Sequence, residues 1–271
     1  MTVTYDYAGK VVLVTGGTKG IGAGIARAFL EAGATVVTCA RTPPAADGPT
    51  RGPVGGPAGQ GEAGGASVGA AEGVRFVRAD VRDPDDVARL LSGLDRLDVV
   101  VNNAGGSPYA PLDGTSPRLH ARVIELNLTA PLLVSQQAYP LLKASDGAVI
   151  MIGSASGTRP SPGTSAYGAA KAGLHHLARC LAAEWAPEVR VNSVVVGLAA
   201  TENAEEHYAG GHEAVAATVP AGRMATPEDV ARVCLWLGSP GYVTGAAIQV
   251  HGGGETPAWR HATSGGTGSR T

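Results

Sequence analysis

The chain has 271 residues, of which 44% are hydrophobic and 16% charged, and its formal net charge is −2. This composition excludes a disordered chain and is typical of a compact, enzyme-like body. The near-neutral charge provides no basic surface for nucleic acid or anionic lipid, so we expect neither as a partner. No apolar run approaches the roughly 20 residues needed to span a bilayer, and the first residues lack the pattern of a signal peptide.

The cysteines and histidines indicate no metal site. Three cysteines, odd in number and widely spaced in apolar contexts, predict reduced and buried side chains in a soluble, cytoplasmic protein. They are Cys39, Cys180 and Cys234. Four histidines of the second half have no metal-ligand spacing with clustered carboxylates or cysteines beside them: His175, His176, His207 and His212.

Short apolar runs alternate with longer amphipathic ones along the chain. The short runs predict buried strands: Val11–Val14, Thr35–Cys39, Val74–Arg78, Asp98–Val101, Ala148–Ile152, Val189–Val194 and Ala247–Val250. The amphipathic runs predict helices at about 20–32, 84–93, 117–143, 163–186 and 227–238. The last has Thr226 as N-cap and Pro227 at its first helical position. This alternation predicts an α/β fold, a single-domain, doubly wound (Rossmann-like) parallel sheet with helices on both faces.

The domain is expected to span residues 1–257. Within it, residues 42–73 contain fifteen Gly or Pro in thirty-two positions. That composition predicts an irregular insertion where a crossover helix would normally lie. Residues 258–271 are expected to form a disordered tail.

A glycine-rich turn joins the first strand to the first helix. Gly16, Gly20 and Gly22 would let the backbone approach a pyrophosphate at the N-terminus of the helix. Taken alone, this pattern also fits an ordinary strand–helix turn, and its GxxxGxG spacing differs from the GxGxxG fingerprint.

A tyrosine and a lysine stand four residues apart in an Ala-rich run that predicts a helix. Tyr167 and Lys171 therefore share one helix face. A nearby ammonium favours the phenolate and lowers the pKa of the phenol toward neutrality. Ser154 offers a hydroxyl that could hold a carbonyl oxygen. The pair alone would usually be a surface contact.

Together these motifs resemble the short-chain dehydrogenase/reductase family. The matching segments are 15–22 (TGGTKGIG), 102–105 (NNAG), Asn127, Ser154 and the Tyr167–Lys171 stretch, and the resemblance extends from about residue 8 to residue 256. It implies that Tyr167 is the general acid in reduction and that Lys171 lowers its pKa and binds the nicotinamide ribose. It also implies that Ser154 positions the carbonyl oxygen and that Asn127 holds a water on the proton path.

The resemblance also implies a set of cofactor-binding residues. Asp80 would lie beside the adenine, the segment 103–105 would line the nicotinamide pocket, and Thr201 would contact the carboxamide. The full set is Gly16, Thr18, Lys19, Gly20, Ile21, Gly22, Arg41, Asp80, Val81, Asn103, Ala104, Gly105, Tyr167, Lys171, Gly197 and Thr201.

The charges at the end of the second strand predict NADP(H) rather than NAD(H). Ala40 stands where an acid would accept hydrogen bonds from a ribose 2′-hydroxyl, and Arg41 follows it. With Lys19, Arg41 would suit a 2′-phosphate. The alternative is that both cations are solvated.

Two features bear on how ligands are held. Val196 replaces the proline that the family usually has in its VNxVxPG segment, which predicts a differently supported turn beside the nicotinamide. Residues 198–223 predict a mobile lid. Arg159 could meet an acidic or carrier-linked substrate, or be a solvated charge on a proline-stiffened turn.

The sequence thus predicts an NADP(H)-dependent oxidoreductase that interconverts a ketone and a secondary alcohol, in the reductive direction. The substrate would be a small-molecule or carrier-linked carbonyl compound. The alternatives are an NAD-dependent alcohol dehydrogenase of the same family and a non-catalytic dinucleotide-binding regulatory protein. The resemblance further implies a homodimer or homotetramer that pairs through the helices at 117–143 and 163–186.

Overall fold

The computed structural model describes residues 3–43, 74–201 and 211–255. Most of the predicted irregular insertion, the middle of the predicted lid and the predicted tail lie outside these described residues. Within them, every predicted strand is present, with ends that differ from the predicted ones by at most two residues.

The described strands form one seven-stranded parallel sheet with the order β3-β2-β1-β4-β5-β6-β7. They are β1 (Val11–Thr15), β2 (Thr35–Ala40), β3 (Val74–Arg78), β4 (Val99–Asn102), β5 (Ala148–Ser154), β6 (Arg190–Val196) and β7 (Ala247–Val250). The order reverses direction between β1 and β4, which creates a crevice at the carboxyl ends of these strands. The doubly wound α/β fold predicted from the sequence is confirmed.

Helices cover both faces of this sheet. The helices that the structure describes are α1 (Gly20–Glu31), α2 (Pro84–Ser92), α3 (Pro117–Ile124), α4 (Ala130–Lys143), α5 (Ser165–Trp185), α6 (Gly211–Ala216) and α7 (Pro227–Gly238). One core lies between the sheet and α2, α4 and α5, and includes Leu90, Leu142 and Leu174. The other lies between the sheet and α1 and α7, and includes Phe29 and Leu237. Burial on both faces explains why the strands are almost wholly apolar.

Helix α7 begins as the sequence predicts. The Thr226 hydroxyl accepts the backbone N–H of Asp229, whose carboxylate accepts the backbone N–H of Thr226 in return. Pro227 occupies the first helical position. This reciprocal capping satisfies two N–H groups that would otherwise lack partners.

The single helix expected at 117–143 is interrupted. A π-helical turn, Glu125–Thr129, separates α3 from α4. Asn127 at its centre is fully buried, and its side-chain amide donates to the backbone oxygen of Val123. A polar side chain that bonds inside the helix and also reaches across to another segment accounts for the irregular turn. No helix in the described part of the chain is long and apolar enough to cross a membrane.

Candidate active site

A cavity of about 670 Å³ opens at the carboxyl ends of the parallel strands. All of the predicted cofactor-binding residues line it, from the glycine-rich turn to Thr201. Ser154 lines it as well, whereas Asn127 is not among its lining residues. The structure therefore brings residues that lie far apart in the sequence to one site.

The glycine-rich turn requires glycine at specific positions. Gly16 and Gly20 have φ of 64° and 53°, in the left-handed region that side chains disfavour. A Cβ at Gly22 would overlap the carbonyl oxygen of Gly16. Lys19, the N-cap of α1, makes no side-chain hydrogen bond to the first turn of the helix. This close, uncapped helix N-terminus fits a pyrophosphate.

Thr15 connects the glycine-rich turn to the segment that follows β4. Its hydroxyl accepts the backbone N–H groups of Asn103 and Ala104, both at 3.0 Å. The Asn103 side chain returns two hydrogen bonds, to the carbonyls of Thr15 at 2.9 Å and Gly16 at 3.1 Å. These contacts fix the two walls of the crevice relative to each other.

The end of the cavity that Asp80 lines carries more positive than negative charge. Asp80, two residues after β3, accepts two hydrogen bonds from the Arg82 guanidinium, which lowers the pKa of the carboxyl and places a positive charge beside the carboxylate. Arg41 and Lys19 line the same end, and Lys19 is exposed. Sequence reasoning missed Arg82, although an Asp and an Arg two residues apart after a strand could have indicated the pair.

Lys171 lines the cavity but is almost wholly buried. Its Nζ donates to the carbonyl of Ile152 at 2.8 Å and lies 5.6 Å from the centre of the Tyr167 ring. Burial lowers the pKa of the Lys171 ammonium to about 8. An amine with this pKa still carries most of its charge at neutral pH, next to the phenol.

Ser154 and Tyr167 lie on either side of the loop that leads from β5 to α5. Ser154 is the last residue of β5 and begins a 3₁₀ turn, Ala155–Gly157, in which its Oγ accepts the N–H of Ser156 at 3.2 Å. Tyr167 lies in the first turn of α5. Both side chains face the one cavity, as the hypothesis of a shared site requires.

His175 is a further polar residue at this site that sequence reasoning treated only as a rejected metal ligand. It follows Lys171 by one helical turn, and its Nε2 accepts the backbone N–H of Ser154 at 3.3 Å. Burial, together with the charges of Lys171 and Arg179, lowers the pKa of His175 to about 4. The 167, 171, 175 spacing, with steps of four, was the available signal.

Asn127 lies behind the cavity and holds the segment after β4. Its Oδ1 accepts the N–H of Gly106 at 3.0 Å, and its Nδ2 donates to the carbonyls of Gly106 and Val123. Both amide N–H groups are therefore used by the backbone, which leaves one lone pair of Oδ1 for a water.

The mouth of the cavity combines an aromatic ring with an ion pair. Tyr109 is 78% exposed, and its ring packs so closely on Gly163 that a Cβ there would overlap it. Arg159 lines the cavity and pairs with Glu255. Arg159 is exposed, and its guanidinium connects the loop before α5 to the segment after β7.

The turn that lacks the family's proline is held by other contacts. Val196 is buried at the end of β6, and the N–H of Gly197 donates to Val250 at 3.0 Å. A Cβ at Gly197 would lie 2.6 Å from that of His251. Sheet pairing and the contact with His251 thus restrict the turn at Gly197, as the fixed φ of a proline at position 196 would do in other members of the family.

The cysteines are all unpaired, but only Cys39 and Cys234 are buried. Cys180 is half-buried, which corrects the expectation that all three are internal. Among residues 3–43, 74–201 and 211–255, no three His, Cys, Asp or Glu side chains come together as potential metal ligands.

Comparison with known proteins shows the family. The model of the enoyl-(acyl carrier protein) reductase family matches residues 58–255, and that of the short chain dehydrogenase family matches residues 10–50. The chain belongs to the short-chain dehydrogenase/reductase family, and it is an NAD(P)-dependent oxidoreductase of that family.

Relatives in this family act in different settings. A 3-oxoacyl-[acyl-carrier-protein] reductase of rhamnolipid biosynthesis from Pseudomonas aeruginosa is 37% identical over 92% of this chain and 97% of its own length. An L-fucose dehydrogenase from Oryctolagus cuniculus is also 37% identical, over 92% of this chain and 86% of its own. Among solved structures, the Pseudomonas aeruginosa RhlG/NADP active-site complex has a TM-score of 0.76 at 33% identity, covering 93% of this chain and 99% of that one.

Proposed function

We propose that this protein is an NADPH-dependent reductase that converts a ketone to a secondary alcohol. The observation that carries the proposal is the convergence of Tyr167, Ser154 and the buried Lys171 on one cavity whose opposite end bears Lys19 and Arg41. Proton transfer and hydride transfer both require such a site, and a dinucleotide long enough to join its two ends supplies the hydride.

The proton chemistry belongs to the chain's own residues. The Tyr167 hydroxyl donates its proton to the oxygen of the reduced carbonyl, and the Lys171 ammonium stabilises the phenolate that remains. The Ser154 hydroxyl hydrogen-bonds the same oxygen and so holds the carbonyl carbon toward the nicotinamide. The lone pair that Asn127 retains can hold a water through which Tyr167 is reprotonated.

The charges at the adenosine end support NADPH as the cofactor. Arg41 and Lys19 supply two cations for a 2′-phosphate, and the guanidinium of Arg82 offsets the negative charge of Asp80 that would oppose it. The related structure is described as an NADP complex, which is consistent with this choice. NADPH normally serves reductive work, and this supports the reductive direction.

The substrate that these features favour is a 3-oxoacyl group on a long carrier. The carrier-linked substrate class appears in the name of the Pseudomonas aeruginosa relative. The exposed ring of Tyr109 offers an apolar contact for an acyl chain at the mouth, and the guanidinium of Arg159, which pairs with Glu255, also lines the cavity. The name of the L-fucose dehydrogenase relative supports the alternative, a dehydrogenase that oxidises a polyhydroxylated secondary alcohol.

A substrate panel with a catalytic variant tests this function. NADPH oxidation is measured with 3-oxobutanoyl and longer 3-oxoacyl pantetheine thioesters, and NAD reduction with L-fucose and simple secondary alcohols. Tyr167→Phe is expected to fold and bind NADPH but to lose nearly all turnover. Substantial turnover by this variant would refute the mechanism, and faster reaction of fucose with NAD would favour the alternative.

Assembly and location are part of the same proposal. Ile124 of α3 and Leu132 of α4 are 39% and 41% exposed, which supports pairing of this face in a homodimer or homotetramer. Light scattering coupled to size exclusion measures the mass directly. The free cysteines suit a reducing compartment such as the cytoplasm.

A further inference from the structure

Strand β5 extends beyond its neighbour β4. Asn102, the last residue of β4, pairs with Met151, whereas β5 continues to Ser154. In a strand, residues two apart direct their backbone groups to the same side. The carbonyl of Ile152 and the N–H of Ser154 therefore lie along one side of β5 past the last residue of β4. Backbone groups in such a position need other partners.

Helix α5 supplies both partners from one face. Lys171 donates its Nζ to the carbonyl of Ile152 at 2.8 Å, and His175 accepts the N–H of Ser154 on Nε2 at 3.3 Å. Lys171 and His175 are four residues apart and lie on one face of α5. Their partners, Ile152 and Ser154, are two residues apart and lie on one side of β5. The amine and the imidazole thus continue the hydrogen bonding that β4 no longer provides.

We propose that His175 is a positioning residue for the reaction: by accepting the N–H of Ser154, its imidazole fixes the direction in which the Ser154 hydroxyl meets the substrate carbonyl. The inference rests on the proposed role of Ser154. His175 acts through this serine and touches neither substrate nor cofactor.

The surroundings of His175 are built to admit the ring in one orientation. A Cβ at Gly153 would overlap its Nε2, and a Cβ at Gly157 would lie 3.0 Å from its Cε1. Burial and the neighbouring charges of Lys171 and Arg179 keep the imidazole neutral, since they lower its pKa to about 4. Nε2 therefore retains the lone pair that the N–H of Ser154 requires, and the ring proton is on Nδ1.

Substitutions at His175, with the adjacent His176 as a control position, test whether the hydrogen bond to Ser154 contributes to turnover. His175→Leu removes the acceptor, while His175→Gln places an amide oxygen near the position of Nε2. We expect kcat to fall by about 3- to 10-fold in H175L and to recover largely in H175Q, with the Kd for NADPH unchanged in both. His176→Leu, at an exposed neighbour, is the control. Unchanged kcat in H175L would overturn the proposal.

Hydrogen–deuterium exchange gives a readout that is independent of turnover. Without an acceptor, the amide of Ser154 in H175L should exchange faster than in the wild type, and in H175Q it should stay protected. If H175L unfolds at the assay temperature, His175→Asn replaces it, because its amide is polar but too short to reach Ser154. Equal protection in all variants would overturn the proposal.

A double-mutant cycle with Ser154→Ala separates positioning from a general structural role. If His175 acts through the Ser154 hydroxyl, H175L should change the single-turnover rate of S154A by less than about twofold. The same fold-loss in both backgrounds would overturn the inference. Full activity of S154A alone would instead refute the proposed function, so the two failures are distinguishable.

Discussion

The Nζ of Lys171 lies 5.6 Å from the centre of the Tyr167 ring while it donates to the carbonyl of Ile152. The ammonium is thus held by the sheet, and it acts on the phenol through space. Its charge depends on pH within the range of ordinary assays, because burial lowers the pKa of the amine to about 8.

Activity in the reductive direction is expected to decline as the pH rises through about 8. Loss of the Lys171 charge raises the pKa of Tyr167 and makes it a weaker proton donor. Values of kcat/KM for the cofactor, which report the free enzyme, measure this limb. In Lys171→Arg the limb should move upward by at least about one pH unit, since a guanidinium keeps its proton. A limb at the same pH in both enzymes would contradict the assignment.

Gly22→Ala should weaken cofactor binding. The new Cβ would overlap the carbonyl oxygen of Gly16 and displace the glycine-rich turn from the conformation that fits a pyrophosphate. We expect the Kd for NADPH, measured by fluorescence titration, to rise by more than about tenfold. Gly241→Ala is the matched control, because the nearest atom to its Cβ would be 4.0 Å away. Equal affinities in the two variants would contradict the proposal that the glycine-rich turn binds the pyrophosphate.

Arg41→Ala should reduce the preference for NADPH over NADH. Loss of a charge-assisted hydrogen bond to a 2′-phosphate corresponds to about 1.5–3 kcal/mol, or at least about a tenfold rise in KM for NADPH. The KM for NADH should hardly change. Arg27→Ala serves as a control, since this half-exposed cation of α1 does not line the cavity. Parallel changes with both cofactors would argue against a phosphate contact.

Thr15→Val should destabilise the fold although it keeps the shape of the side chain. The N–H of Ala104 would lose its acceptor inside the protein, at about 1–3 kcal/mol, whereas the N–H of Asn103 would keep the carbonyl of Val101 at 3.0 Å. Urea unfolding measures the loss of free energy. Thr15→Ser keeps the hydroxyl and should lose only about 1 kcal/mol through its missing methyl group. A serine variant as unstable as the valine variant would show that packing dominates.

Asp229→Asn should reduce stability at neutral pH but not in acid. Hydrogen bonds from Arg223 and Thr226 lower the pKa of this carboxyl below its usual value. Its contribution is therefore complete above the unfolded pKa of about 3.9 and is lost as the pH falls toward the folded value. We expect a deficit of about 1 kcal/mol at pH 7 that shrinks below about pH 4. Glu228→Gln, at the exposed neighbouring position, is the control and should change stability little at pH 7.

The fold and most of the cavity could be predicted because both depend on local patterns. Strands such as β1 are apolar runs, and a turn like the one at Gly16 requires glycine wherever it occurs. The roles of His175 and Arg82 were not predicted. The contact of His175 with Ser154 depends on the distance between α5 and β5, and that of Arg82 with Asp80 depends on the rotamer of the arginine. Neither quantity is visible in the spacing of residue types.

The irregular turn at Asn127 sets the relative orientation of two helix surfaces. A π-helical turn contains more residues than an α-helical one, and each residue of a helix advances the side chains by about 100°. Removing one residue from Glu125–Thr129 would let α3 and α4 form one continuous α-helix. Ile124 would then be rotated by about that angle relative to Leu132. The one additional residue in this turn therefore has two effects. It buries the side-chain amide of Asn127, and it determines that Ile124 and Leu132 are exposed on the same surface.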